Sequence, residues 1–177
     1  YPSLSNFAEC LHDQLWKSFQ NASHSSIEYL QRIQDENKLL FLCDDLITFF
    51  KNCDQNEYQS RVAVIKLIYI YYKNDSIYKQ IQHDGGQGKQ QRETAGVYFC
   101  DNSAIVIAAL VSLVHKHGNA RQKVRVTLMQ VYHLALHNNI RESRDLLLKT
   151  QMSQVITMQP VDNQILYNRA LVQIGLA

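Results

Sequence analysis

The sequence predicts an all-α protein, specifically an irregular α-solenoid of stacked antiparallel helical hairpins of the TPR/HEAT kind, interrupted by one long Gly/Gln-rich loop. Three observations lead there. Six Gly and two Pro in 177 residues make up about 4–5% of the chain against a usual share of about 12%, too few turn formers for a β-sandwich or barrel. Apolar residues recur at helical spacing along most of the chain. In the second half, helix starts near 102 and 140, and near 119 and 162, repeat at about forty residues, the spacing of stacked helical hairpins.

The first helix is predicted to start near Ser5, with Phe7, Leu11, Leu15, Phe19 and Cys10 on its buried face. Asn21 to Ser25 breaks it, and Ser25 or Ser26 caps a short second helix through Ile27, Leu30 and Ile33. Asp35 is read as the cap of a third, carried by Leu39, Leu42, Leu46, Phe49 and Phe50. A fourth follows a cap at Asp54 through Tyr58, Val62, Ile65, Tyr69 and Tyr72. Its β-branched, aromatic centre would also suit a strand, but it lacks alternation and flanking hairpin signals, which favours helix. The His83–Gly96 stretch, holding four of the six glycines, reads as a mobile loop. Helices then run from about Asn102 to Lys116 with Gly118 at C′, from Ala120 to His137, and from Ile140 to Gln151. The last starts at an Asp162 cap and runs to the end. The domain organisation is thus N-terminal helices over 1–82, a linker over 83–101 and helical hairpins over 102–177. With no initiator Met and no signal sequence, the chain is expected to be a piece of a larger protein.

Composition excludes disordered, collagen-like and disulfide-framework classes: 46% of residues are apolar, 19% are charged, and there are four Cys. Cys10, Cys43, Cys53 and Cys100 have no metal-binding spacing and read as buried free thiols. The apolar run Ala104–Val114 is too short to cross a bilayer and reads as a buried helix. Residues 1–101 carry 10 basic and 13 acidic side chains, and 102–177 carry 8 and 3. No Asp or Glu lies between Asp101 and Glu142. Within that interval Lys116, Arg121, Lys123 and Arg125 bracket the Gly118 turn. They form either a solvated junction or a site for phosphate backbone or an acidic partner.

Nothing assembles into a catalytic or cofactor site. His133 and His137 stand four apart but lack the Glu and third ligand of a zincin, so neither metal nor cofactor is expected. No nucleophile elbow surrounds any Ser or Cys. Asp35-Glu36 and Asp44-Asp45 read as caps and a solvated face. Gly85-Gly86-Gln87 spells the tripeptide of class I release factors in a foreign context, and is read as linker. In the last helix Tyr167, Ala170, Leu171 and Ile174 form an inward face. Ile165, Val172 and Leu176 form an opposite apolar stripe suited to the packing of a further helix, or to self-association.

Tyr132-His133-Leu134-Ala135-Leu136-His137, Arg144-Asp145-Leu146 and Gln164-Ile165-Leu166-Tyr167-Asn168-Arg169, followed by Val172-Gln173 and Gly175, resemble the c-subunit family of eukaryotic translation initiation factor 3. Gln20-Asn21, Glu28-Tyr29 and Tyr71-Tyr72-Lys73 extend the similarity forward. The resemblance implies a helical-repeat array preceding a PCI domain, and hence a cytoplasmic, non-enzymatic scaffold. Its implied partners are other initiation factor 3 subunits and the small ribosomal subunit, with no membrane and no small-molecule substrate. A scaffold of another PCI-type complex, such as the proteasome lid or the signalosome, is the alternative. A hydrolase acting through Gly85-Gly86-Gln87 is a more distant one.

Overall fold

In the computed structural model, which describes residues 1–84 and 102–177, those residues form only helices and turns. The helices are α1 (Pro2–Asn21), α2 (Ile27–Asn52), α3 (Asn56–Ile70), α4 (Asp75–Asp84), α5 (Ser103–His117), α6 (Ala120–Leu136), α7 (Ile140–Lys149), α8 (Met152–Val155) and α9 (Val161–Leu176). A 3₁₀ turn, Ile156–Met158, joins the last two.

α3 is the helix that a strand could have replaced. It is helical because it is central: Val62, Ala63, Ile65, Leu67, Tyr69 and Ile70 are all buried, so apolar residues surround its axis and leave no amphipathic stripe. It packs against α1, α2, α5 and α6. α6 in turn touches α5, α7 and α9. The buried cluster runs from Ala8 to Leu166 and draws on helices from both sides of residues 85–101. Within it, the run beginning at Ala104 buries Val106, Ile107, Leu110, Val111, Leu113 and Val114, as expected of α5.

Several boundaries differ from expectation. α2 is one helix of 26 residues. Ser26 does cap it, accepting from the Tyr29 amide at 3.2 Å, but Asp35 lies mid-helix and pairs with Lys38 at 2.8 Å. Asp54 is not a cap either; it has φ 54° in the turn before α3. Asp162 sits in the first turn of α9, after a Pro160 cap. On α1 the fully buried residues are Ser5 and Ala8, and of the expected face Phe7, at 54%, and Cys10 are exposed. Leu11 and Leu15 of the expected stripe pack partly buried against the core, and Phe19 is half-buried.

α4 and the Met152–Met158 turns were not expected. They bury few but large side chains, Tyr78, Ile81, Met152 and Ile156, too sparse a set to make a periodic signal. α4 also takes residues 83 and 84 from the anticipated loop. The remainder of that loop, including Gly85-Gly86-Gln87, lies outside the described residues, as does Cys100. Gly118 is the C-cap of α5 in an extended conformation, φ −80° and ψ 163°, rather than a left-handed C′ residue. It is required for closeness, since a Cβ there would stand 2.6 Å from the Val114 carbonyl oxygen.

Candidate functional site

The junction between α5 and α6 is held by Asn119, which caps α6 reciprocally with Gln122. From this start, Arg121 and Arg125 share one helical face, four residues apart, and look towards α9. The chain carries no acid near them in sequence, but the fold brings Asp162 to 3.7 Å from Arg121. Asn163 then donates to the Arg121 carbonyl at 3.5 Å. Lys123 belongs to another face, where its carbonyl accepts from the Thr127 hydroxyl, itself 3.1 Å from His115 Nε2. Burial and Lys123 lower the proton affinity of His115. Lys116 is exposed at the end of α5. The four cations therefore divide: Arg125 is partly buried and Arg121 pairs with Asp162 of α9 at the surface, while Lys116 and Lys123 are not placed with them.

Arg125 is partly buried, which lowers its proton affinity against the opposing pull of Asp162. It lines a hollow of about 550 Å³ between α1, the end of α3, α6 and α9, together with Trp16, Tyr71, Tyr72, Asp162 and Arg169. A second hollow of about 650 Å³, lined by Phe19, Tyr29 and Ile33, shares Trp16 and Tyr72 with the first. A third of about 370 Å³ on the outer edge of α9 shares Ile165 and Arg169. Sequence reasoning missed this groove because its walls come from both ends of the chain.

On α9, Leu166, rather than Leu171, completes the inward face beside Ala170 and the partly buried Tyr167; Leu171 is 40% exposed. Ile165, Val172 and Leu176 are 53%, 60% and 77% exposed.

Beneath α4 lies a buried polar network. Ser103 donates to Asp75 and stands 3.3 Å from His133 Nε2. His133 Nδ1 is 3.2 Å from the Tyr71 carbonyl, which can only accept, so the neutral ring carries its proton there. Burial first, and then His137 with its ring 4.2 Å away, lowers the His133 pKa to about 4. His137 Nδ1 lies 3.6 Å from Asp75. The composition is Ser, His and Asp, but the connectivity differs from that of a hydrolytic triad. The carboxylate accepts the serine's hydrogen bond, instead of orienting His133, and Ser103 and His133 are 1% and 2% exposed. The arrangement ties the starts of α4 and α5 to the end of α6.

The paired carboxylates also divide. Asp44 is buried against Lys66, and Glu36 against Lys73, while Asp35 and Asp45 face solvent. Of the cysteines, Cys43 is buried and its thiol is pushed up to about 12 by burial; Cys10 is exposed, contrary to expectation, and Cys53 is intermediate. No group of three or more His, Cys, Asp or Glu among the described residues could hold a metal ion. No described helix is long and apolar enough to cross a membrane.

A family profile described as "Eukaryotic translation initiation factor 3 subunit 8 N-terminus" matches residues 2–177. The chain belongs to that family. The resemblance carried by the Tyr132–His137 and Gln164–Arg169 stretches is thereby borne out, and it extends through the front half. Among relatives in this initiation factor 3 family, the C-subunit of Dictyostelium discoideum is 30% identical over 168 residues, 95% of this chain and 17% of the relative. The C-subunit of Scheffersomyces stipitis is 31% identical over 183 residues, covering 100% and 22%. That of Mycosarcoma maydis is 30% identical over 183 residues, covering 98% and 20%. The chain spans about a fifth of the length of these curated relatives.

Proposed function

We propose that this chain is a non-catalytic scaffold segment of a translation initiation factor 3 subunit, acting in the cytoplasm. It supports assembly of the multi-subunit factor and its docking on the small ribosomal subunit. The observation that carries this reading is the family match across residues 2–177. In this reading the helices stack as antiparallel hairpins of an irregular solenoid leading towards a PCI domain, with 1–82 and 102–177 as helical parts and 83–101 as their linker. The exposed stripe of Ile165, Val172 and Leu176 receives the next helix, as an interior helix of a stack would. Lys116 and Lys123 are the cations of the junction left for rRNA or an acidic partner, since Arg121 is engaged by Asp162.

The test is affinity capture of the tagged full-length subunit, with and without residues 1–177. Recovery of the other initiation factor 3 subunits and the small ribosomal subunit, diminished by the deletion, supports the reading. Recovery of proteasome-lid or signalosome subunits instead overturns it. Hydrolysis of peptidyl-tRNA by the chain, abolished by Gln87→Ala, would overturn the non-catalytic part alone.

A further inference from the structure

The geometry points to a peptide-docking groove in which Arg125, Arg169 and the Tyr71 hydroxyl receive a carboxylate of an acidic–apolar protein segment, whose apolar side chains fill the adjoining hollow beside Trp16 and Tyr72. This goes beyond the scaffold reading and does not depend on it.

Charge and shape decide the occupant. Tyr71, Arg125 and Arg169 line one hollow, and both guanidiniums act on the Tyr71 hydroxyl, offsetting part of the rise that burial imposes on it. Neither Arg125 nor Arg169 is in an ion pair among the described residues. Two guanidinium side chains and a tyrosine lining one space suit a carboxylate, which guanidinium groups hold bidentately. Next to them, Trp16 is 49% and Tyr72 41% exposed, and these two rings lead into the hollow of Phe19, Tyr29 and Ile33. Exposed Trp, Tyr and Arg in concave surroundings are the residue types that dominate peptide and protein recognition.

Two further carboxylates line the same hollow, Asp13 and Asp162, and Asp162 is shared with Arg121. A chain with a phosphate at every residue would meet repulsion from both. A protein segment with an isolated acidic residue between apolar ones brings a single carboxylate to Arg125 and Arg169, and so meets far less repulsion from Asp13 and from Asp162, whose charge already reaches Arg125. The mosaic therefore favours protein over nucleic acid.

Trp16 is the only tryptophan in the sequence and lines both hollows, so its emission reports occupancy. The experiment pans a displayed library of random twelve-residue peptides on the full chain, with counter-selection on the Arg125→Glu/Arg169→Glu variant. Synthetic copies of the enriched peptides are then titrated against Trp16 emission. We expect enrichment of peptides with Asp or Glu beside Phe, Leu or Ile, and a blue shift of Trp16 on binding. Affinity should fall on the order of tenfold to a hundredfold in Arg169→Glu, as for a lost charged hydrogen bond. Because Arg169 is exposed, its thermal unfolding should stay unchanged, and peptides with the acid replaced by Lys should recover binding to it. Lack of such enrichment, or binding equal in wild type and both variants, overturns the proposal. Binding of oligo-U RNA that shifts Trp16 and is lost in Arg169→Glu, where the peptides give no shift, overturns it in favour of nucleic acid.

Discussion

Lys66 of α3 and Asp44 of α2 form an ion pair with side chains only 1% and 2% exposed. A second pair, Lys73 with Glu36, lies close by in the chain at 11% and 9% exposed. Asp44 is eight residues after Glu36, and Lys66 seven before Lys73, so the two pairs are rungs between antiparallel segments. Their carboxylates stand about 12 Å apart along α2 at 1.5 Å of rise per residue, the first pair tying α2 to α3 and the second to the turn just past the end of α3.

Replacing Lys66 by Met should therefore cost about 3–5 kcal/mol in urea denaturation, because the buried Asp44 carboxylate loses the Lys66 ammonium. Lys66→Met combined with Asp44→Leu should recover most of that loss. A double variant as unstable as the single would show that the pair does more than neutralise itself.

His133 should make stability depend on pH. Its native pKa is about 4 against an ordinary 6.5, so the unfolded chain takes up the proton first as pH falls. The stabilisation is complete above pH 6.5 and is lost progressively down to about pH 4, by about 3 kcal/mol in total. His133→Asn should flatten that part of the curve of unfolding free energy against pH, whatever it does at neutral pH. An unchanged slope would mean that other groups carry the acid sensitivity.

Gly118→Ala tests closeness rather than backbone strain, since φ is −80°. The added methyl would meet the Val114 carbonyl oxygen at 2.6 Å and its Cγ1 at 2.7 Å. Overpacking of this kind costs about 1–3 kcal/mol, and it should appear as a lower Tm with the helical circular-dichroism signal retained.

The outer stripe of α9 should drive self-association of the isolated chain. Sedimentation velocity at rising concentration is expected to show dimers or larger species, reduced by Val172→Gln with Leu176→Gln, because an exposed apolar stripe tends to associate. A strictly monomeric wild-type chain would remove the stripe as a packing face.

The helical class, the Ser26 cap, the buried run from Ala104 and the helices at 120–136 and 140–149 were legible in the sequence. Each is a local property, set by periodicity, capping chemistry and propensity within a few residues. The family, too, could be read from short stretches such as Tyr132–His137. Burial was not local. One carboxylate of Asp35-Glu36 and one of Asp44-Asp45 is buried, and the choice lies with Lys73 and Lys66, 37 and 22 residues further on. Asp35 looked like a cap because a short polar residue before an apolar run suits a helix start equally well; packing against α3 carries α2 straight through it. The groove at Arg125 needs Trp16, Tyr71 and Arg169 from three distant helices, and Ser103 meets His133 only across 30 residues. Such contacts depend on how helices cross and rotate, which is settled by the summed fit of side chains from the whole chain, and only the tertiary structure holds that sum.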